Sequence, residues 1–256
     1  MRNSMIQAKP AATVMVCREM DGRIELLMVK RSHRAGFFPS AWVFPGGRLD
    51  AADHDAPVVG DAPNSNCPHY VVAAVRECFE ESGVWLGEGS PAQDFREKLN
   101  SRKATLADAP TLKADLSRMA QWSWWITPEA EPKRYDTRFF LTCLSPLESS
   151  LASPDNSETV ESTWISPKEA IGRHYAGDFY LAPPTLLTLV EIGGFENIST
   201  LWQSACNRRV EAIVPLHRKS MGLLEILLPG HSDHPDKTPL LQTTRLTLQS
   251  EVWHLD

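Results

Sequence analysis

Apolar and polar positions alternate most clearly near the N-terminus. Thr13–Cys17, the polar break Arg18–Gly22 and Arg23–Lys30 predict a β-hairpin, with Asp21-Gly22 as its turn and Ile24, Leu26 and Met28 along one face. A glycine-bearing loop follows and ends in Trp42-Val43-Phe44-Pro45-Gly46-Gly47. Residues 54–69 are turn chemistry throughout, rich in Pro, Gly, Asp and Asn with little apolar mass. The period then changes. Over Tyr70–Ser82, the residues Val71, Val72, Ala74, Val75, Cys78 and Phe79 fall on one continuous face at about 100° per residue, which predicts a helix stopped at Gly83. Cys78 lies on that apolar face and is expected to be an inert core thiol.

Beyond this helix the pattern is mixed. Residues from Pro91 to Trp122 predict helix interrupted at Ala109-Pro110. Arg138–Leu144 and Glu161–Ile165 predict strands, and Pro167–His174 a short helix. After Pro183-Pro184 come two predicted helices, Thr185–Ile192 and Ile198–Arg208, and three strands, Glu211–Leu216, Leu223–Leu228 and Thr243–Leu248. Strands and helices do not alternate regularly, which favours an α+β fold or compact mixed sandwich over a doubly wound sheet. The expected organisation is one domain over residues 1–256, with an excursion at 54–69, a helical insertion at about 91–121 and a C-terminal extension from about 184 to 256.

Charge narrows the function. The chain has 26 basic and 32 acidic side chains, a net charge of −6, which argues against a non-specific nucleic-acid binder and leaves room for a small basic pocket. Its five cysteines are scattered without a CxxC pair, so a reducing compartment is expected and a disulfide scaffold is not. The N-terminal residues lack the apolar run of a signal peptide, no stretch has the length of a membrane span, and the last residues are not a peroxisomal tripeptide; the expectation is a cytoplasmic protein without a membrane partner. A homodimer is compatible with these features, and nothing in them specifies one.

Glu77, Glu80 and Glu81 share the polar face of the Tyr70–Ser82 helix, beside Arg76. Carboxylates at i, i+3 and i+4 repel one another, and in a last helical turn they also oppose the macrodipole. A solvated acidic face with an Arg–Glu pair is one reading of this pattern. A divalent cation held by hard oxygen ligands, Mg²⁺ or Mn²⁺, is the other.

The surrounding residues bear on that choice. Gly47, Asp53 and the run Arg76-Glu77-Cys78-Phe79-Glu80-Glu81-Ser82-Gly83-Val84 resemble the Nudix box, Gx5Ex7REUxEExGU with U apolar. Asp53 stands at the first glutamate position. Residues 48–75 lie between Gly47 and Arg76, 28 where the pattern has 13, so 15 are inserted, coinciding with the turn-rich stretch 54–69. Arg31-Ser32, the segment Gly36–Ala41, Val43–Asp50, Trp122–Pro128, Arg134–Phe140 and Leu181–Pro184 look like the peroxisomal coenzyme A diphosphatase branch of the family. The upstream coenzyme A signature is matched in part: Gly36 stands where it has Arg, and Ser40 where it has Gly.

The resemblance implies a Nudix α/β/α sandwich around a mixed β-sheet and a metal-dependent pyrophosphatase. Its substrate would be a nucleoside diphosphate-linked molecule. The metal set it implies is Glu80 and Glu81, with the Gly46 carbonyl and with Glu77 as ligand or base, while Arg76 holds a carboxylate in place. Asp136, Glu158 and Glu161 are further candidates for the base. Coenzyme A or an acyl-coenzyme A is the expected substrate; NADH, ADP-ribose and nucleotide sugars are the alternatives among enzymes. A non-catalytic Nudix-fold binding module is the rival from another class, although such modules usually lose the helix carboxylates retained here.

Smaller signals have plainer readings beside their functional ones. Lys30, Arg31, Arg34 and Arg48, with Gly47, flank the glycine loop and would meet substrate phosphates, or else are ordinary surface charge. Trp122, Trp124, Trp125, Phe139 and Phe140 would stack a base, or more commonly build core. His231, Asp233, His234 and Asp236 sit beside Pro229-Gly230 and Pro235, and read as a polar turn rather than a metal site.

Overall fold

The computed structural model describes residues 7–33, 38–129, 131–150, 152, 159–220 and 222–256. The first two strands, β1 (Lys9–Met20) and β2 (Arg23–Arg31), form the expected hairpin; Asp21 and Gly22 turn it with φ of 51° and 71°. The glycine loop contributes two short strands, β3 (Trp42–Val43) on β2 and β4 (Gly46–Arg48) on β1. Next come β5 (Val58–Val59), α1 (Pro68–Ser82), β6 (Gly87–Glu88), α2 (Phe95–Asn100), β7 (Lys113–Asp115), β8 (Ala120–Ile126) and β9 (Tyr135–Leu144). The order continues with α3 (Pro146–Ser149), β10 (Thr159–Ile165), α4 (Pro167–Ala176), α5 (Pro183–Ile192) and α6 (Ile198–Cys206). β11 (Ala212–Ile213) precedes a final meander of β12 (Leu216–Ser220), β13 (Leu223–Leu227), β14 (Arg245–Gln249) and β15 (Val252–Leu255).

The main sheet runs β10-β2-β1-β9-β8-β11 and is mixed, with β1 parallel to β9 and β11 parallel to β8. Its two faces carry separate cores. Val14 and Val16 of β1 pack on one side with α1, whereas Met15 and Cys17 pack on the other with α5 and the meander. Ala11 to Cys17 are therefore all buried, and such a strand reads as a continuous apolar run rather than an alternation. The architecture is the α/β/α sandwich around a mixed sheet, within the α+β class.

The segment 91–121 departs from the expectation of helix. It contains one six-residue helix, α2; the rest is 3-10 turns and β7, which joins β5 and β6 in a three-stranded sheet. Its apolar residues Leu99, Leu106, Leu112 and Leu116 recur seven, six and four residues apart, and they reach the α1 core from turns rather than from one helix face. Trp122, at the end of the predicted helical stretch, belongs to β8 instead. The 54–69 excursion is anchored by Asn64, whose Nδ2 donates to the carbonyls of Gln121, Ala205 and Arg208 within 3.0 Å while its Oδ1 accepts from Gln121 N–H at 2.7 Å.

The meander is fastened to α4 by a buried histidine. His174 Nδ1 accepts the Leu181 N–H at 3.2 Å, so Nε2 carries the proton and donates to the Trp253 carbonyl at 3.0 Å. Burial holds its pKa below the ordinary 6.5, against the opposing effect of its backbone hydrogen bonds. The unfolded chain then binds the extra proton first. The stabilisation is complete above about pH 6.5 and declines as pH falls through the lowered folded value. Urea denaturation from about pH 7.5 to about pH 5.5 is expected to show stability falling with acid, and His174→Gln to flatten that dependence. An unchanged slope in the variant would assign the acid sensitivity elsewhere.

Candidate active site

α1 begins with Pro68 in its first turn and ends at Gly83 in the left-handed conformation (φ 74°), whose N–H donates to the Phe79 carbonyl at 2.9 Å. Its apolar face is buried as the pattern requires. Cys78 is fully buried, its thiol pushed up to about 12 by burial. The polar face turns toward β4. There the Gly46 N–H donates to Glu81 Oε2 at 2.9 Å, and a Cβ built at Gly47 would lie 2.5 Å from the Glu77 carboxylate. A side chain at position 47 would displace the Glu77 carboxylate, whereas one at Gly46 would run into the backbone of Ala12 and Thr13.

Arg76 organises the acidic face. It is 6% exposed and forms a bidentate pair with Asp53, itself 3% exposed, through Nε–Oδ1 at 2.8 Å and Nη2–Oδ2 at 2.9 Å. Nη2 also donates to the Arg48 carbonyl at 2.8 Å, while Nη1 donates to Glu77 at 2.8 Å and to Glu80 at 3.4 Å. Burial works against the guanidinium charge, but the bonds and charges of Asp53, Glu77 and Glu80 outweigh it and raise its pKa. Asp53 is fixed in turn by the Asp50 N–H at 2.8 Å. The shortened acid at the box's first glutamate position thus reaches Arg76 despite the 15-residue insertion. The pKa of Glu80 is raised above the usual carboxylate range by burial, which Arg76 only partly offsets. α2 braces the end of the helix: Arg96 Nε donates to the Glu80 carbonyl at 3.0 Å.

These groups line a cleft of about 870 Å³. Of the sequence-predicted residues, Gly46, Gly47, Arg76, Glu77, Glu80 and Glu81 line it, and so do Arg31 and Arg48. Lys30 does not; it bridges Glu161 at 2.8 Å on the sheet edge, which also takes Glu161 away from the cleft. Asp136 lies between Tyr135 and Thr137, which face the cleft; it accepts from Trp124 Nε1 on the other face of β9. Arg34 and Glu158 lie outside the described residues.

Four of these aromatics are core: Trp122 and Phe140 are fully buried, and Trp125 and Phe139 are buried while also lining the cleft; Trp124 is half-buried under the Arg138 guanidinium. The His231–Asp236 segment is a turn, in which the Asp233 and Asp236 N–H groups donate to His231 and His234. No residue of 54–69 lines the cleft, so the excursion does not cover it. Sequence reasoning missed the wall built by the meander, including Leu224, Ile226 and Trp253. Its only local signal is the apolar alternation of the last strands, which says nothing about what they face.

The donor set suits a hard divalent cation, being carboxylates beside the main chain of the Gly46-Gly47 strand. Among the described residues, no three His, Cys, Asp or Glu side chains converge to hold an ion as they stand; Arg76 engages Glu77 and Glu80, and Gly46 engages Glu81. The chemistry of the residues fits such an ion, with Arg76 keeping Glu77 and Glu80 together and the Gly46 N–H holding Glu81.

Comparison with known proteins gives three findings. Residues 60–192 match the family model described as the NUDT19 Nudix domain. Acyl-coenzyme A diphosphatase NUDT19 of Gallus gallus is 28% identical, over 89% of this chain and 77% of that protein, and the Homo sapiens protein of the same name is 26% identical over 87% and 75%. The crystal structure of a NUDIX hydrolase from Alicyclobacillus acidocaldarius superposes with a TM-score of 0.66 at 27% identity, covering 78% of this chain and 97% of that one.

Proposed function

Because the chain belongs to the Nudix hydrolases of the NUDT19 type, we propose that it cleaves the diphosphate of coenzyme A or an acyl-coenzyme A, giving 3′,5′-ADP and (acyl-)4′-phosphopantetheine. The observation that carries this reading is the set Glu77, Glu80 and Glu81, held against Gly46-Gly47 by the Arg76–Asp53 pair inside a cleft large enough for a nucleotide-linked substrate. The relatives named above supply the substrate class.

Nudix hydrolases generally use divalent metals. In this chain Glu77, Glu80, Glu81 and the Gly46 carbonyl are the proposed ligands. When bound, the ion neutralises charge on the diphosphate and makes water a better nucleophile. Arg31 and Arg48 meet the remaining phosphate charge. Asp136 and Glu161 face away from the cleft, so we assign proton acceptance to the helix's own carboxylates, Glu77 and Glu80, with Arg76 fixing their orientation.

Product analysis by mass spectrometry tests this. With Mg²⁺ or Mn²⁺ and a panel of coenzyme A, acyl-coenzyme A, NADH, ADP-ribose and nucleotide sugars, 3′,5′-ADP and phosphopantetheine are the expected products, and a chelator is expected to abolish them. AMP from NADH or ADP-ribose instead would keep the chemistry and overturn the substrate.

A further inference from the structure

The register of the meander sorts its side chains into two faces. His217 pairs with Ile226 and Lys219 with Leu224; Leu224 and Ile226 continue across to Leu248 and Leu246, and Leu248 to Trp253. That face is apolar apart from the two residues on the edge strand β12. Ile226, Leu246 and Trp253 join the core beneath the main sheet, with Leu224 and Leu248 packed against it. Leu224, Ile226 and Trp253 nevertheless also line the cleft, where Trp125 and Phe139 of the main sheet supply further apolar surface. The other face pairs charge with charge, as in Arg218 with Glu225 and Asp233. His217 at the rim is tied to Glu131 of the β8–β9 connection at 2.7 Å, which holds the meander against the cleft mouth.

A diphosphate, a ribose phosphate and an adenine are polar or need polar partners, and the carboxylates, glycines and arginines already described serve the scissile group. The polar residues of the meander that line the cleft, His217, Arg218 and Lys219, all belong to the edge strand β12; the inner part of the wall, Leu224, Ile226 and Trp253, offers only apolar area joined to the same cleft. We infer that this wall receives the acyl chain of a thioester substrate, so that discrimination between acylated and free coenzyme A resides in residues 216–255. This rests on the coenzyme A reading above. It also places selectivity outside residues 60–192, the stretch that matches the family model.

Each methylene taken from water into such a wall strengthens binding about fourfold, so chain length is the natural readout. Leu224 is the residue to change, because it is only partly buried and lies at the margin of the core rather than within it. Octanoyl-coenzyme A and free coenzyme A would be compared in wild type and Leu224→Asp. The expected result is that KM for the octanoyl substrate relative to that for free coenzyme A rises about tenfold in the variant. A ratio within about twofold of wild type overturns the assignment.

A second measurement needs no variant. Wild-type protein in chelator would be photolysed with an acyl-coenzyme A carrying a diazirine at the chain end, and the adducts mapped by mass spectrometry. Adducts within 216–255 are expected; adducts confined to other segments overturn the proposal. Wild type that cleaves NADH or ADP-ribose but neither coenzyme A form removes the substrate reading itself, and this inference with it. That outcome is distinct from cleavage of both forms with an unmoved ratio.

Discussion

Glu81→Gln is expected to lower kcat by roughly a thousandfold, equivalent to about 4 kcal/mol of transition-state stabilisation, while leaving the fold in place. The substitution keeps the size of the side chain and an oxygen that can accept the Gly46 N–H, which in wild type reaches Glu81 Oε2 at 2.9 Å. What it removes is a charge, on a side chain that is nearly buried. A structural role would survive that exchange; a role in holding a divalent cation would not. Steady-state kinetics with the substrate identified by product analysis, together with thermal unfolding, separates the two. Wild-type kcat in the variant would remove Glu81 from the metal set.

The second large effect belongs to Asp53. Asp53→Ala leaves a buried guanidinium without its bidentate partner, and breaking a buried pair from one side costs about 3 kcal/mol or more. Arg76 keeps Glu77, Glu80 and the Arg48 carbonyl, so the chain is expected to fold with a lower urea midpoint rather than to fail outright. Activity falls with it, because the orientation of Glu77 and Glu80 depends on where Arg76 sits. Asp53→Asn, which retains an acceptor for the Asp50 N–H but loses the charge, is expected to fall between the two. Equal stability in all three proteins would show that the pair contributes nothing net.

Much of this site was legible from the chain because its parts are local. The i, i+3, i+4 spacing of Glu77, Glu80 and Glu81 and the apolar face behind them are set by helical geometry, and α1 runs through both. Asp53 could be aligned with the box, but only the folded chain shows that the insertion leaves its contact with Arg76 intact. The strands β3 and β4 span two and three residues and exist because β2 and β1 offer them partners, which no local pattern announces. β8 was hidden for a related reason: its tryptophans and the preceding turns mimic an interrupted helix, and its alternation is blurred by burial on both faces. Of the meander, β13 and β14 were visible as strands and β12 and β15 were not, and their place along the cleft depends on His174 and on Glu131, each far away in sequence. The faces of β9 carried a signal that was there to use. With Tyr135 and Thr137 on the cleft, the two-residue period of a strand already turns Asp136 away.

The central place of β1 has a consequence for how the protein is made. Its parallel partner β9 begins at Tyr135, so residues 21–134 must leave the ribosome before that edge of β1 can close. At about 5–20 residues per second this takes roughly 6–23 s, during which a strand with apolar residues on both faces has β2, β4 and α1 beside it but no partner along that edge. Such contacts between distant segments also slow folding after release. The nascent chain is thus expected to be a substrate for holding chaperones, and its yield on expression to improve with slower synthesis or lower temperature. The same strand carries β4, so the Gly46-Gly47 strand beside Glu77 and Glu81 is built on a segment whose other edge closes only when β9 arrives.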